Sequence, residues 1–450
     1  MAIFGWKKKD TSIVQSKITI EDRSTIENIN TEPVLIMAND GVNICAEACA
    51  CCWDTKIPVK TEDRAEYIAK RTRIGHGSVT EHSNHVFYME IPDDEIIYLA
   101  EFLSSYTEYV HTVYRHSIKL PKGYLIIGGS WRAYRDIILK SPNVWENPII
   151  RRLLDAIYKT MSYAGFADLV KKEVIPDRFE NPNSVGYRIY SKANWQKIGD
   201  NLEIINVDDF DMMVKNLIGL CPEAELFTYY DLLDMCTITV LFKNMSRIIT
   251  QQLTRHRNAI TQESQRYVNY ANGAFNSPAM FKDKYDPKYQ YSVQFGKSSQ
   301  KMTLQEIGDN IAGIYGQLID KDRTQGHDLQ REDARAYLPN NIRCNKLYMT
   351  FTWRNFFSFL HLREEAHAQA EIRKYATELG DYFRTHIWTN RPDFNTCING
   401  YTEPNEFCVS LNYPTNTVDE VISEEEIASE MEDYAANSIE GEPFMPIEKE

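Results

Sequence analysis

No stretch of this 450-residue chain is apolar for long enough to span a membrane. Lys7 to Lys9 stand near its start, but residues 1–20 lack the long apolar core of a signal peptide. The expectation is a cytoplasmic protein with no leader and no membrane anchor. Positive charge is also scarce: 50 Lys and Arg against 64 Asp and Glu leave a formal net charge of -14. A nonspecific nucleic-acid binder needs a basic face, so no nucleic-acid polymer is expected as a partner, although a locally basic pocket is compatible with this balance. A disulfide framework is missing too, because the nine cysteines are an odd number. Four of them, Cys45, Cys49, Cys51 and Cys52, crowd into CAEACACCW. Cys49 and Cys52 have the C-x-x-C spacing of a soft-metal or redox pair, but no second such pair occurs. Cys45 and Cys49 also share one helical face among alanines, and a packed helix without metal is the expectation.

What is present is globular: 43% apolar and 12% aromatic residues, in a length sufficient for two domains or one enlarged domain. Val34 to Met37 reads as a strand, followed by helices from Asn43 and over Thr61–Arg71. Ile74 to His82 places Gly75 and Gly77 around His76, a tight turn where backbone can approach a ligand. Ser78 with Glu81 is equally a capping box that starts a helix with nothing bound. Val86–Ile91 reads as a strand, Glu95–Val113 as helix, and Tyr124–Tyr134 as a strand turning into a helix. Pro176, Pro182 and the Asn-rich run around Ser184 read as loop, and the CPEAE run at 221–225 as a helix start. Thr237–Phe242 is a strand, after which Met245-Ser246-Arg247 leads into an apolar helix. Ala271–Ser299 reads as surface loop, Leu304–Leu318 and Glu332–Leu338 as helices, and the last forty residues as an acidic, solvated tail.

The densest chemistry lies between Gln251 and Tyr270, QQLTRHRNAITQESQRYVNY. Arginine's planar fork suits phosphate and carboxylate oxygens, and glutamine amides offer donor and acceptor edges to a planar base. A nucleotide or cofactor pocket and a buried ion-pair network joining two helices both fit such a cluster.

Arg255-His256-Arg257, a spacer, then Ser264-Gln265-Arg266-Tyr267 resembles the signature of the flavin-dependent thymidylate synthases. Here Asn258 to Glu263 make the spacer one residue shorter than the family's usual one. A helical spacer would thereby turn Ser264 by about 100° relative to Arg257, whereas an extended one can absorb the change in a bulge. Gly75-His76-Gly77-Ser78-Val79-Thr80-Glu81-His82 followed by a strand resembles a second family block. Phe351 to Arg373, FTWRNFFSFLHLREEAHAQAEIR, resembles a third, with Thr352 where asparagine is common. If that span is one helix, Arg354 and Ser358 share one face while Arg363 and His367 share another.

The resemblance implies an α+β fold, with a mixed or antiparallel sheet and long helices, enlarged by an insertion or partial repeat. It implies an enzyme, a methyltransferase making dTMP from dUMP with FAD, NADPH and 5,10-methylenetetrahydrofolate, working as a homotetramer whose sites collect residues from several subunits. The dUMP ligands would be Gln252, Arg255, Glu263, Ser264, Gln265, Arg266, Arg335 and Arg363, with Arg266 at the phosphate and Arg363 at the pyrimidine edge. The FAD ligands would be Ser78, Glu81, Arg255, His256, Arg257, Arg354 and Ser358, with His76 and His82 shaping the site. Arg363, Ser264 and Arg255 would stand closest to the chemistry. No cysteine has the proline-cysteine-histidine setting of the classical thymidylate synthases, so a cysteine-independent route fits better. Alternatives are modification of another pyrimidine deoxynucleotide, for example hydroxymethylation, and a nucleotide-binding homologue without turnover.

The blocks define a split catalytic domain, residues 30–91 and 237–400, with residues 92–236 inserted and 401–450 as tail. Within the insertion, Tyr124–Tyr134 echoes Tyr348–Phe356: each is a hydrophobic run that places Trp-Arg at the start of a helix. A degenerate partial repeat and two unrelated strand-to-helix transitions both account for the echo.

Overall fold

Strands and helices alternate in two stretches, and each stretch builds its own antiparallel sheet. The computed structural model describes residues 29–106, 110–140, 146–163, 191–271, 275–276, 281–282, 284–319, 329–389, 394 and 411. The expected loop around Pro176–Ser184 and, Leu411 apart, the acidic tail lie outside them.

The first stretch runs β1 (Val34–Ala38), α1 (Gly41–Trp53), α2 (Thr61–Arg73), a 3-10 turn (Gly77–His82), β2 (His85–Pro92), α3 (Ile96–Tyr106), β3 (His111–His116), β4 (Lys122–Gly129), α4 (Trp131–Lys140) and α5 (Pro148–Tyr163). Its sheet has the order β1-β2-β4-β3. The second begins with β5 (Ser191–Ile198), β6 (Leu202–Asp208), α6 (Phe210–Leu220), α7 (Tyr229–Leu232), β7 (Thr237–Ser246), α8 (Arg247–Leu253) and β8 (Ala259–Gln262). It continues with the β9–β10 hairpin (Tyr291–Phe295, Ser298–Met302), α9 (Leu304–Ile319), α10 (Arg331–Ala334), β11 (Arg343–Thr352), α11 (Trp353–Glu364) and α12 (Ala370–Tyr382). Its sheet has the order β5-β6-β7-β11-β8. The fold is α+β, and every strand pair named here is antiparallel.

The cysteine-rich segment is α1, and its composition follows from where it sits. Cys45 and Cys49 pack with Phe87, Met89 and Leu125 of the first sheet, while Ile44, Ala48 and Cys51 pack with Ile205, Leu241 and Tyr348 of the second. A helix buried on two sides needs small residues all round rather than one apolar stripe. Burial raises the Cys49 thiol to about 12 and also raises those of Cys45, Cys51 and Cys52. That is the environment of inert packing thiols. Helix α6 fills the other face of the first sheet: Phe210, Met213 and Leu217 share a core with Ile36, Tyr88 and Tyr124, and with Ile238, Val240 and Met349 of the second sheet.

Several local expectations are corrected. The helix expected over Glu95–Val113 stops at Tyr106, because His111–His116, rich in β-branched and aromatic residues, pairs with β4. Ser78 caps nothing; Gly77–His82 is a 3-10 turn, and the Glu81 carboxylate pairs with Arg132. The expected loop at 271–299 contains β9 and the start of β10. The 221–225 run yields only a 3-10 turn, Ala224–Leu226, and the helix expected over Glu332–Leu338 is α10 followed by a 3-10 turn at Arg335–Tyr337. Phe351–Arg373 is not one helix either. The last two residues of β11 precede α11, and α11 and α12 are separated by residues 365–369, so Arg363 and His367 share no helical face. The break brings buried Glu371 to Ser246, whose backbone N–H (2.7 Å) and hydroxyl (2.6 Å) donate to its carboxylate.

Candidate functional site

The Arg-His-Arg triplet follows helix α8 in a single 3-10 turn, Thr254–His256, and Arg257 ends it in the left-handed conformation with φ 52°. That backbone costs a non-glycine residue about 1 kcal/mol or more and separates Arg257 from the turn before it. Asn258 secures the turn: its Nδ2 donates to the His256 carbonyl (3.0 Å) and its Oδ1 accepts from Asn355 of α11 (2.9 Å). The spacer then continues as β8, so it is extended rather than helical. Thr261 on that strand meets His82 (2.9 Å) from the first stretch, and the other ring nitrogen of His82 meets Thr350 (2.8 Å).

Two adjoining cavities share Arg257 and Asn355 as a common wall. One is a recess of about 380 Å³ lined by Arg255, His256, Arg257, Ser358 and Arg363. Arg363 donates from Nε to His256 Nε2 (3.0 Å), so that nitrogen accepts and the ring is neutral with its proton on Nδ1. Burial and the Arg363 charge hold the His256 pKa down at about 4, while burial and Arg255 lower that of Arg363. Among the described residues, no carboxylate lies within ion-pair distance of Arg255, Arg257 or Arg363. Three guanidiniums and a neutral imidazole thus meet at one recess without a counter-charge, an arrangement suited to phosphate.

The other cavity is a cleft of about 550 Å³, lined among others by Glu81, Arg132, Asp136, Asp234, Arg257 and Thr352. Arg354 is committed beneath it. Its Nε donates to Asp234 (2.6 Å), its Nη2 to the Tyr230 carbonyl (2.8 Å), and its guanidinium lies 3.9 Å from the Tyr230 ring centre. Thr352 accepts from the Asn355 N–H to cap α11 and donates to Asp234 (3.0 Å). Glu81 is raised above the ordinary carboxylate pKa, by burial first and against the pull of Arg132.

The structure therefore gathers Glu81, Arg255, His256, Arg257, Ser358 and Arg363 around two joined cavities, with Arg354 supporting their floor. Ser264, Gln265, Arg266 and Arg335 line neither cavity. Ser264 N–H donates to the Cys52 carbonyl (3.2 Å), the Ser264 hydroxyl accepts from Arg266 N–H (3.3 Å), and Arg266 pairs with Glu332 (2.9 Å) on the exposed surface. Arg335 donates to the Glu332 carbonyl (3.1 Å). His76 belongs with this surface, 4.6 Å edge-on to Trp53, whose ring stacks on Tyr267. Ser78 is half-buried in its turn, and Gln252 is tied to Gln369. Glu263 is buried and structural: it accepts from the Tyr270 hydroxyl and Asn345 (3.2 Å), while its carbonyl accepts from Arg247 (2.6 Å). Sequence reasoning missed Asp234, Asn258, Asn355 and Arg132. Only Asn258, directly after the triplet, carried a positional signal.

Residues 224–387 match the family model described as Thy1, thymidylate synthase complementing protein. The flavin-dependent thymidylate synthase of Mycobacterium avium is 28% identical over 152 residues, 33% of this chain and 58% of the relative. That of Pyrococcus abyssi is 27% identical over 181 residues, 40% of this chain and 65% of the relative. The chain thus spans less than two thirds of the length of these curated relatives. A crystal structure of the Helicobacter pylori enzyme ThyX, complexed with FAD and dUMP, overlays with a TM-score of 0.27 at 17% identity, covering 41% of this chain and 83% of that one. This overlay is too loose to bear on the fold. By the family model and the curated relatives, part of the chain, residues 224–387 for the family model, is similar to the flavin-dependent thymidylate synthases.

Proposed function

We propose that this chain is a flavin-dependent enzyme acting on a pyrimidine nucleotide, making dTMP from dUMP with 5,10-methylenetetrahydrofolate as the one-carbon donor and NADPH as the reductant. The observation that carries the reading is the recess where Arg255, Arg257 and Arg363 converge without a carboxylate partner among the described residues. Phosphate oxygens would supply the missing counter-charge, and the adjoining 550 Å³ is within the usual size of a ligand pocket. FAD, when bound, supplies hydride chemistry that no side chain offers. The protein's own part is to bind and orient. Arg255 and Arg257 hold phosphate, the neutral His256 fixes Arg363, and Arg363 presents its remaining N–H groups to charge developing on a uracil carbonyl. Ser264 has no base among its hydrogen-bond partners and serves in binding rather than as a nucleophile.

The Ser264–Arg266–Arg335 surface would complete a site in a homo-oligomer, a tetramer on the family's pattern, where one chain offers this surface to another chain's cleft. The working environment is the cytoplasm, and no metal, membrane or nucleic-acid polymer takes part. Modification of a different pyrimidine deoxynucleotide is the alternative, favoured by the shortened extended spacer between Arg257 and Ser264.

The test is a visible spectrum of purified protein, then turnover with NADPH, methylenetetrahydrofolate and dUMP and the nucleotide product weighed by mass spectrometry. Bound flavin and dTMP are expected. Flavin with a different nucleotide product selects the alternative, and no flavin after reconstitution with FAD overturns the proposal.

A further inference from the structure

The two sheets correspond strand for strand. The order β1-β2-β4-β3 in the first repeats as β6-β7-β11-β8 in the second, and the registers coincide. Leu35, Met37 and Ala38 pair with Phe87, Val86 and His85 around a bulge that skips Ile36. Ile204, Asn206 and Val207 pair with Val240, Thr239 and Ile238 around a bulge that skips Ile205. On the other side, His85 faces Gly129 as Ile238 faces Phe351, and Thr112 faces Ile127 as Ile260 faces Met349. Carried one step beyond β4 and β11, the register makes Trp131-Arg132 equivalent to Trp353-Arg354.

Side-chain contacts repeat in the same register. After the first strand of each set, Asn39 accepts from Asn84 N–H (2.9 Å) as Asp208 accepts from Thr237 N–H (2.7 Å). The next residue caps the following helix in both, Asp40 for α1 and Asp209 for α6. Four residues before His85 stands Glu81, paired with Arg132; four before Ile238 stands Asp234, paired with Arg354. Contacts between the sets are reciprocal as well. His82 of the first touches Thr350 of the second, and a side chain at Gly128, the equivalent of Thr350, would meet Met235, the equivalent of His82. Such reciprocity is what a twofold relation produces. The cleft lies on that axis, lined by Glu81 and Asp234, Asn84 and Thr237, Ala133 and Asn355.

The two ends of this symmetric frame differ in charge. The second end carries Arg255, Arg257 and Arg363. At the first end Asp136 stands for Ser358, and in the sequence alone the same count from the strand reaches Thr107, Glu108 and Tyr109, which lie outside the described residues and include no cation. We propose that residues 34–140 are a ligand-blind copy of the fold of residues 202–364, and that the chain carries one anionic-ligand site. The second copy holds the phosphate, and the first copy supplies the opposite wall, Glu81, Arg132 and Asp136. Arg132 is held there by Glu81 and by Asp136 (3.6 Å), so among the described residues that line this end of the cleft the one guanidinium is already ion-paired, while hydrogen-bonding edges remain for an uncharged ring. The wall thereby fixes the direction in which a nucleotide-like ligand lies. The repeat so defined takes in β1 to α4 and so crosses residue 91.

The choice of probe rests on the flavin reading, so two probes are titrated against the intact chain: FAD by its fluorescence and inorganic pyrophosphate by calorimetry. One FAD per chain is expected. Arg257→Ala should weaken it at least 30-fold and Arg132→Ala 3- to 10-fold at unchanged stoichiometry and circular dichroism, with Arg132→Lys recovering most of the loss. Two FAD per chain, or an Arg132→Ala protein that binds as wild type, overturns the proposal and leaves the flavin reading intact. No FAD, but one pyrophosphate per chain lost in Arg257→Ala, supports the single site and removes the flavin reading. Binding of neither probe overturns both.

Discussion

The β1–α4 and β6–α11 regions share topology, bulge and buried tryptophans, yet beside the cleft the first offers Arg132 paired with Glu81, whereas the second gathers Arg255, Arg257 and Arg363 without a carboxylate partner among the described residues. Strand order and register are fixed by what the sheets bury, so those features are constrained at every position that faces a core. The turn that carries Arg255 and His256 has no buried residue, so its side chains can change without disturbing a core. Framework and chemistry therefore vary independently, and a scaffold can be repeated without its site.

The largest effect that tests this equivalence is removal of the paired tryptophans. Trp131 and Trp353 open equivalent helices, are 1% and 0% exposed, and donate their backbone N–H to Ser83 Oγ (2.8 Å) and the Cys236 carbonyl (3.1 Å). Truncating a buried tryptophan costs about 3–5 kcal/mol. Trp131→Ala and Trp353→Ala should each lower stability by that amount in urea melts. A loss below about 1 kcal/mol for either would mean that its half does not depend on the shared packing.

Acid should separate the halves next. His82 and His85 are fully buried, and burial lowers each pKa from about 6.5 to about 3. Their equivalents in the second half are Met235 and Ile238, which do not titrate. The unfolded chain takes up these protons between pH 6.5 and 3 while the folded chain refuses them, so this stability is present above pH 6.5 and is lost as pH falls. At pH 5, about 1.5 units below the unfolded value, each histidine removes about 2 kcal/mol. His256, held at about 4, adds to the same loss from the second half, so His82→Met, which installs the second half's residue, should flatten the pH 7 to 5 stability profile by about a third. An unchanged slope would place the acid sensitivity elsewhere.

Much of this was legible in the sequence where the cause is local. The alanines and cysteines of α1 announced a packed helix, whereas the Trp-Arg echo, 222 positions apart, was open both to a partial repeat and to two unrelated transitions. Features caused by distant partners were not legible. The helical pattern over 351–373 breaks because Glu371 reaches Ser246, 125 residues away in sequence. His111–His116 is a strand because β4 lies beside it. At the site, the triplet was visible as a run of cations, whereas Asp234 gains its role only by meeting Arg354, and Asn258 only by meeting Asn355. Glu263, in a motif that points to ligand, faces Tyr270 and Asn345 instead.

The smallest effects sharpen the comparison at the helix caps beside the cleft. Ser130 Oγ accepts from Ala133 N–H (3.3 Å), and Thr352 Oγ1 accepts from Asn355 N–H (3.2 Å), three residues on in both. Loss of such a cap costs about 1 kcal/mol, which is the effect expected of Ser130→Ala. Thr352 also donates to the Asp234 carboxylate (3.0 Å), and a hydrogen bond to a charged group adds about 1.5 kcal/mol or more. Thr352→Val should therefore cost about 2 kcal/mol or more. In an Asp234→Asn background the carboxylate's share of that cost should shrink, leaving a value close to that of Ser130→Ala. If Thr352→Val costs the same in both backgrounds, Asp234 is coupled to Arg354 alone. The second half's cap would then be no more specialised than the first's.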